Sequence, residues 1–299
     1  KAIQPYNLKL TDDVIRFLID NEYARDCLAK GRDGIPGMIR AMRRFNRAKL
    51  LWRNEVRTNC APVNPAFKKW RERQMNRAVL EFGPFQEECL IHTPIIFELQ
   101  KGCSVQCDFC AIRAPKLQGI FRYNDENAAL WKSILLSSKK IVGDALRHGV
   151  CYFATEPFDN PDYEKFCMDY AAIAGAFPQT TTAVATRNIE RTRNLVNLSH
   201  LKGNMIDRLS LLTIDDFLKV INNFTPEETL WIEMLPQMPE ALGAKAISGR
   251  LLEKTIDDPS IIEREAKKTL EENRLALSDL EFTKNINKLV TFSVSCLTG

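Results

Sequence analysis

From Pro94 onward, short apolar or β-branched runs alternate with helical patterns, and this alternation narrows the fold more than any other feature of the 299-residue chain. The runs lie at Ile95–Leu99, Val150–Thr155, Thr180–Thr186, Ile206–Thr213, Thr229–Leu235 and Leu289–Ser295, and the longest intervening helix is predicted from Glu126 to Arg147. Six β/α repeats predict an α/β fold of parallel strands joined by right-handed crossovers. Pattern alone leaves an open sheet and a partial barrel as alternatives.

The first 90 residues read differently, as helices rich in basic side chains. Thr11 is placed as an N-cap with Asp12 and Asp13 in the first turn. Val14, Phe17, Leu18 and Leu28 follow at helical spacing until the Gly31-Arg32-Asp33-Gly34-Ile35-Pro36-Gly37 break. A second helix is expected from Met38 to about Arg57, and a third carries Lys68, Lys69, Arg71, Arg73 and Arg77. Residues 1–90 hold 18 basic and 11 acidic side chains, so the whole-chain charge of +4 conceals a basic N-terminal third and an acidic remainder. Two regions are therefore expected: a helical, basic 1–90 that could bind peptide, and a strand-bearing 91–299. With 45% apolar residues and no apolar run of the ~20 residues a membrane helix needs, a cytoplasmic protein with no membrane partner is expected.

Nine cysteines are too many to ignore in a chain that does not read as a small secreted scaffold. Six are scattered singly. The other three stand together in Gly102-Cys103-Ser104-Val105-Gln106-Cys107-Asp108-Phe109-Cys110, a C-x3-C-x2-C spacing directly after the first strand. Three thiolates can hold three irons of one [4Fe–4S] cluster and leave the fourth iron open to a chelating substrate. Structural zinc takes four ligands, and no nearby Cys or His completes such a set. A loop after a parallel strand is also where such folds carry their chemistry.

This segment resembles the radical S-adenosylmethionine (SAM) signature, including aromatic Phe109 before the third cysteine. Further resemblance lies in Ala114-Pro115-Lys116, Phe121-Arg122-Tyr123, Glu126-Asn127-Ala128-Ala129-Leu130-Trp131 and Ala154-Thr155-Glu156-Pro157-Phe158-Asp159-Asn160-Pro161-Asp162-Tyr163. Together they are similar to the radical SAM peptide epimerases of proteusin type, which mature ribosomally made peptides. The similarity runs from about Phe97 to Arg193 and returns near Cys296.

The resemblance implies a partial (β/α)6 TIM-type barrel with an N-terminal helical region. It implies one [4Fe–4S] cluster on Cys103, Cys107 and Cys110, with SAM as co-substrate. Phe109 would lie near the adenine, and Thr155, Glu156 and Pro157 would match the motif that holds the SAM amino group. There Ala154 and Thr155 replace the family's two glycines. The implied activity is conversion of L- to D-residues in a precursor peptide, leader and core, with Cys296 returning hydrogen to Cα. An electron donor such as ferredoxin or flavodoxin is the implied reductant, and nucleic acid is not an expected partner.

Strand alternation adds Arg208 and Ser210, which share a face opposite Leu209 and Leu211 and suit the carboxylate and ribose of SAM. Glu233 and Gln237 share a face on the next strand, where Glu233 could bind substrate or pair with Arg208. Thr186 and Arg187 are further candidates of the same kind. Cys151 and Cys167 read as core. Two rival readings stay open: a peptide-crosslinking radical enzyme, and an iron–sulfur RNA-binding protein that uses the basic helices.

Overall fold

A computed structural model describes residues 12, 13, 16, 20–37, 40, 51–82, 87, 90–204, 206–241 and 243–270. The chain divides into two compact units, whose described residues fall within Lys1–Glu55 and within Val56–Ser278. In the first, α1 (Asn21–Ala29) starts where the Asp20 carboxylate accepts the backbone N–H groups of Glu22 and Tyr23, each at 3.0 Å. A 3₁₀ turn over Gly31–Gly34 follows it, at the predicted glycine break.

The second unit begins with α2 (Pro65–Phe82), capped by Asn64, whose side chain accepts from Ala66 and Phe67. One of its basic residues departs from the sequence reading. Arg71 is buried, and its guanidinium donates to the carbonyls of Arg57, Ile91 and His92. The Arg57 carbonyl belongs to the last turn of a helix and those of Ile91 and His92 to irregular chain, and a forked donor satisfies several at once. Lys68, Lys69, Arg73 and Arg77 are exposed, as expected of a solvated face.

The strands form two small sheets. β1 (Gln100–Lys101) and β2 (Gly119–Ile120) pair antiparallel, with Gln100 opposite Ile120. β3 (Thr181–Thr182), β4 (Asp207–Leu211) and β5 (Ile232–Pro236) form a parallel sheet in that order. A further parallel bridge joins Ile96 to Val150, with Phe97 N–H donating to the Val150 carbonyl at 2.9 Å. The predicted parallel sense thus holds for β3–β5 and the Ile96–Val150 bridge, whereas β1 and β2 run antiparallel, and the described residues form no closed barrel. The predicted Leu289–Ser295 strand lies outside the described residues.

The crossovers supply the core. α3 (Asp125–Val142) is capped by Asn124 and buries Ala128, Trp131, Leu135, Ser138 and Val142, a spacing of three and four that keeps one face inward. α4 (Tyr163–Ala174) buries Tyr163, Phe166, Cys167, Tyr170 and Ala174 against it. Phe97 and Trp131 meet edge to face at 5.0 Å, and the Trp131 indole donates to the Phe166 carbonyl. Cys151 and Cys167 are both in this cluster, as read from the sequence. A second cluster gathers Val196 of α5 (Ile189–Leu201), Leu209 and Leu211 of β4, Val220 of α6 (Ile214–Asn223) and Ile232 of β5. α7 (Pro226–Thr229) leads into β5, and α8 (Gly249–Asp257) follows it.

Candidate functional site

The three clustered cysteines lie on the loop between β1 and β2, which the β1/β2 ladder and a bridge from Cys103 to Lys116 close at its base. Gly102 is required at that base: its φ is +86°, and a Cβ would sit 2.3 Å from the Lys116 carbonyl oxygen. All three cysteines are reduced and half-buried, whereas Cys27, Cys60, Cys151 and Cys167 are buried. Backbone N–H groups point at two of the sulfurs. Val105 N–H faces Cys103 Sγ and Ala114 N–H faces Cys110 Sγ, each at 3.4 Å. Burial pushes the Cys107 thiol up to about 12, with the neighbouring Cys103 and Cys110 adding to the shift. Burial raises Cys103 as well, against the Val105 donor.

Among the described residues, no three His, Cys, Asp or Glu side chains gather as ligands of a single metal ion would. A polynuclear cluster asks for something else, because each thiolate then binds a different iron. The loop offers three soft donors, two of them with a backbone N–H turned toward the sulfur.

The loop is tied to the segment after Val150. The Ser104 N–H and hydroxyl both donate to the Asp159 carboxylate, at 2.8 and 2.5 Å. Asp159 belongs to a 3₁₀ turn, Pro157–Asp159, whose N-cap is Glu156. Glu156 is a buried hub, only 3% exposed. One carboxylate oxygen accepts from the Thr182 hydroxyl at 2.5 Å and Phe158 N–H at 3.1 Å, and the other from Ala183 N–H at 2.9 Å. Its carbonyl accepts from the Gln100 side chain of β1. Desolvation dominates these favourable bonds and moves its carboxyl up to about 7.

Two features of this segment bear on ligand binding. Ala154 adopts φ +53°, a glycine conformation, at the position where the resembled motif has glycine. The Thr155 hydroxyl is buried and has no hydrogen-bond partner. A buried hydroxyl without a partner is costly, and a bound polar ligand would relieve that cost.

Arg208 and Ser210 are half-buried while Asp207, Leu209 and Leu211 are buried, so they share the expected face. Arg208 stands opposite Thr181 of β3 and Glu233 of β5, and its guanidinium pairs with Glu233 at 2.7 Å. The Thr181 hydroxyl meets the Tyr152 phenol at 2.6 Å, which extends a polar row across the sheet. Gln237 acts through its backbone, donating to Leu211 and accepting from Lys245. Thr186 donates to Asp216 at 2.6 Å. The Phe109 ring has the Lys245 ammonium 5.0 Å from its centroid. Cys296 lies outside the described residues.

Sequence reasoning missed Arg250. It is more than 130 residues from the loop in sequence, yet donates to its Cys107 and Ala114 carbonyls and to Gln106 Oε1. No spacing rule connects residues so far apart.

No protein-family model and no solved structure matches the chain. The chain is 40% identical over 188 residues to the uncharacterized protein y4wI of Sinorhizobium fredii (strain NBRC 101917 / NGR234). That match covers 63% of this chain and 36% of the relative, so the chain spans about a third of the protein it resembles.

Proposed function

We infer that this chain is a radical SAM enzyme and acts as a peptidyl L-to-D epimerase. The observation that carries the reading is the C-x3-C-x2-C loop, with half-buried thiols between β1 and β2 and N–H groups turned toward two of the sulfurs. The glycine-like Ala154 and the unpartnered Thr155 hydroxyl support a ligand beside it.

In this reading Cys103, Cys107 and Cys110 hold one [4Fe–4S] cluster. With SAM bound, the cluster, given one electron by the ferredoxin- or flavodoxin-type donor, would supply a 5′-deoxyadenosyl radical, with methionine leaving, able to remove hydrogen from a peptide Cα. The chain's own work is binding and orientation. Phe109 offers a ring face for the adenine, and Thr155 to Pro157 offer polar groups for the SAM amino group. Arg208 and Ser210 face the SAM carboxylate and ribose, with Glu233 holding the guanidinium in place. Cys296 gives its thiol hydrogen to the opposite face of Cα. An electron from a ferredoxin- or flavodoxin-type donor and a proton from water restore its sulfur. The substrate is a ribosomal precursor peptide.

Anaerobic reconstitution should give about four irons and four sulfides per chain, lost when Cys103, Cys107 and Cys110 all become Ala. Co-expression with candidate precursor peptides in deuterated water should add one deuterium per inverted residue. Cys296→Ala should keep deoxyadenosine formation and lose the D-residues. Normal D-residue formation in that variant would refute the donor assignment, and full iron loading in the triple variant would refute the cluster.

A further inference from the structure

The middle of the cysteine loop is not stable by its own conformational preferences. Gln106 and Arg113 both adopt positive φ, +53° and +55°, without being glycine. Each such residue is strained, and strained backbone persists only where its surroundings over-determine it. Two residues provide that determination. The Gln106 side-chain amide donates to the carbonyls of Cys103 at 2.7 Å, Pro115 at 3.0 Å and Ala114 at 3.3 Å. Arg250, in the first turn of α8, donates from its guanidinium to the carbonyls of Cys107 and Ala114 and to Gln106 Oε1 at 2.8 Å. Its backbone N–H donates to the Cys110 carbonyl at 3.1 Å.

The consequence for the sulfurs is electrostatic. A carbonyl pointing at a thiolate repels it, whereas an N–H stabilises it. Arg250 and Gln106 draw the carbonyls of all three cysteines, and those of Ala114 and Pro115, toward cationic or N–H donors. The N–H groups of Val105 and Ala114 are left facing Cys103 and Cys110. The approach of α8 also depends on Gly249, where a Cβ would lie 2.2 Å from the Cys110 oxygen and 2.5 Å from that of Ala111. At the rim, Lys254 pairs with Asp108 at 2.8 Å and Arg113 with Glu253. Both pairs are exposed, and exposed pairs contribute little.

We propose that Arg250 is a positioning residue for the cysteine loop, and that the first turn of α8 is a clasp holding 106–114 in its observed shape before any metal binds. The clasp itself is a property of the metal-free protein; only its benefit to iron rests on the cluster reading above. A lysine cannot replace the arginine, because one ammonium does not reproduce a planar fork to two carbonyls and an amide oxygen.

The test is amide hydrogen exchange on the metal-free protein. Arg250→Met keeps the stem and removes the donors, and should speed exchange across 103–114 by about tenfold while α4 keeps its protection. Arg250→Lys should recover only part of that protection. Gly249→Ala, which leaves Arg250 in place but pushes α8 off the loop, should reproduce the effect, and the double variant should be no faster than the worse single one. Wild-type exchange in the loop of either variant would overturn the proposal. So would loss of α4 protection in step with the loop, because the role would then be global. A second arm reads iron loss to EDTA after anaerobic reconstitution, expected to be faster in Arg250→Met. If the wild type takes up no iron, the cluster reading fails, and the exchange arm still decides the clasp.

Discussion

Glu156→Gln should remove about 2–3 kcal/mol from the pH dependence of stability between about pH 5 and pH 8. Glu156 is 3% exposed, and its carboxyl titrates near 7 in the folded chain against an ordinary 4.5. Between those values the folded state keeps a proton that the unfolded state has released. Stability from this group is therefore fully present below 4.5 and is lost as pH rises through 7. At 1.36 kcal/mol per unit, the loss from pH 5 to pH 8 is about 2–3 kcal/mol.

Glutamine has the same size and no proton to lose, so that slope should vanish. A pH-independent penalty should replace it, because the new amide N–H₂ would face the Ala183 N–H that Glu156 now accepts. One donor left without an acceptor costs about 1–3 kcal/mol. Urea unfolding of the reduced, metal-free protein across this range separates the two effects. Asp207, also raised to about 7 by burial, contributes a slope of the same sign and should remain in the variant. The acid-side contribution of Asp162, held low chiefly by Lys165 and Arg122, falls outside the window. A variant with the same pH slope as the wild type would refute the assignment of a neutralised, buried Glu156.

Two substitutions test the backbone beside the cysteine loop. Ala154→Gly should raise stability by about 0.5–1 kcal/mol in urea unfolding, because φ +53° strains alanine more than glycine's extra unfolded-state freedom costs. No gain would mean that the left-handed conformation is not held in solution. Asn160→Ala should cost about 2–3 kcal/mol, since the fully buried amide donates to the Leu99 and Phe121 carbonyls and accepts from Asp162 N–H. A cost below that of a surface substitution would show these carbonyls finding other partners.

Much of the fold was readable because periodicity reports burial directly. The helix expected from Glu126 to Arg147 appears as α3, ending at Val142, with a 3₁₀ turn over Gly143–His148. Gly143 stops it, at φ +66° and with a Cβ-sized space already taken by Val63. β4 keeps its predicted face. The strand expected from Thr229 begins instead at Ile232, because Thr225 and Glu228 form a capping box that folds Pro226–Thr229 into a helical turn. That signal, threonine followed by proline and a glutamate at the third position, stood in the sequence unread. Arg71 illustrates a different limit. Its helix carries several basic residues of one type, and only tertiary structure shows which one meets the carbonyls of 57, 91 and 92. The cysteine loop was legible as a donor set, while its supports at Asp159 and Arg250 depend on contacts that local pattern does not encode.

Those supports grip the loop at opposite ends and through different chemistry. Ser104 is held by Asp159, on a turn whose N-cap is Glu156, and Glu156 is itself fastened to β3 through Thr182 and Ala183. The other end, Gln106 to Ala114, is held by Arg250 on a helix that follows the last described strand. The first support backs onto the buried Glu156, whose carboxyl burial pushes up to about 7. The second passes through the Arg250 guanidinium, which reaches two carbonyls and the Gln106 amide oxygen at once. The supports meet at the 103–104 peptide, whose N–H is accepted by Asp159 and whose carbonyl is held by Gln106, so their contributions to loop order should couple. The shape of the cysteine loop is thus set by residues that carry no sulfur, Asp159 and Glu156 on one side and Gln106 and Arg250 on the other.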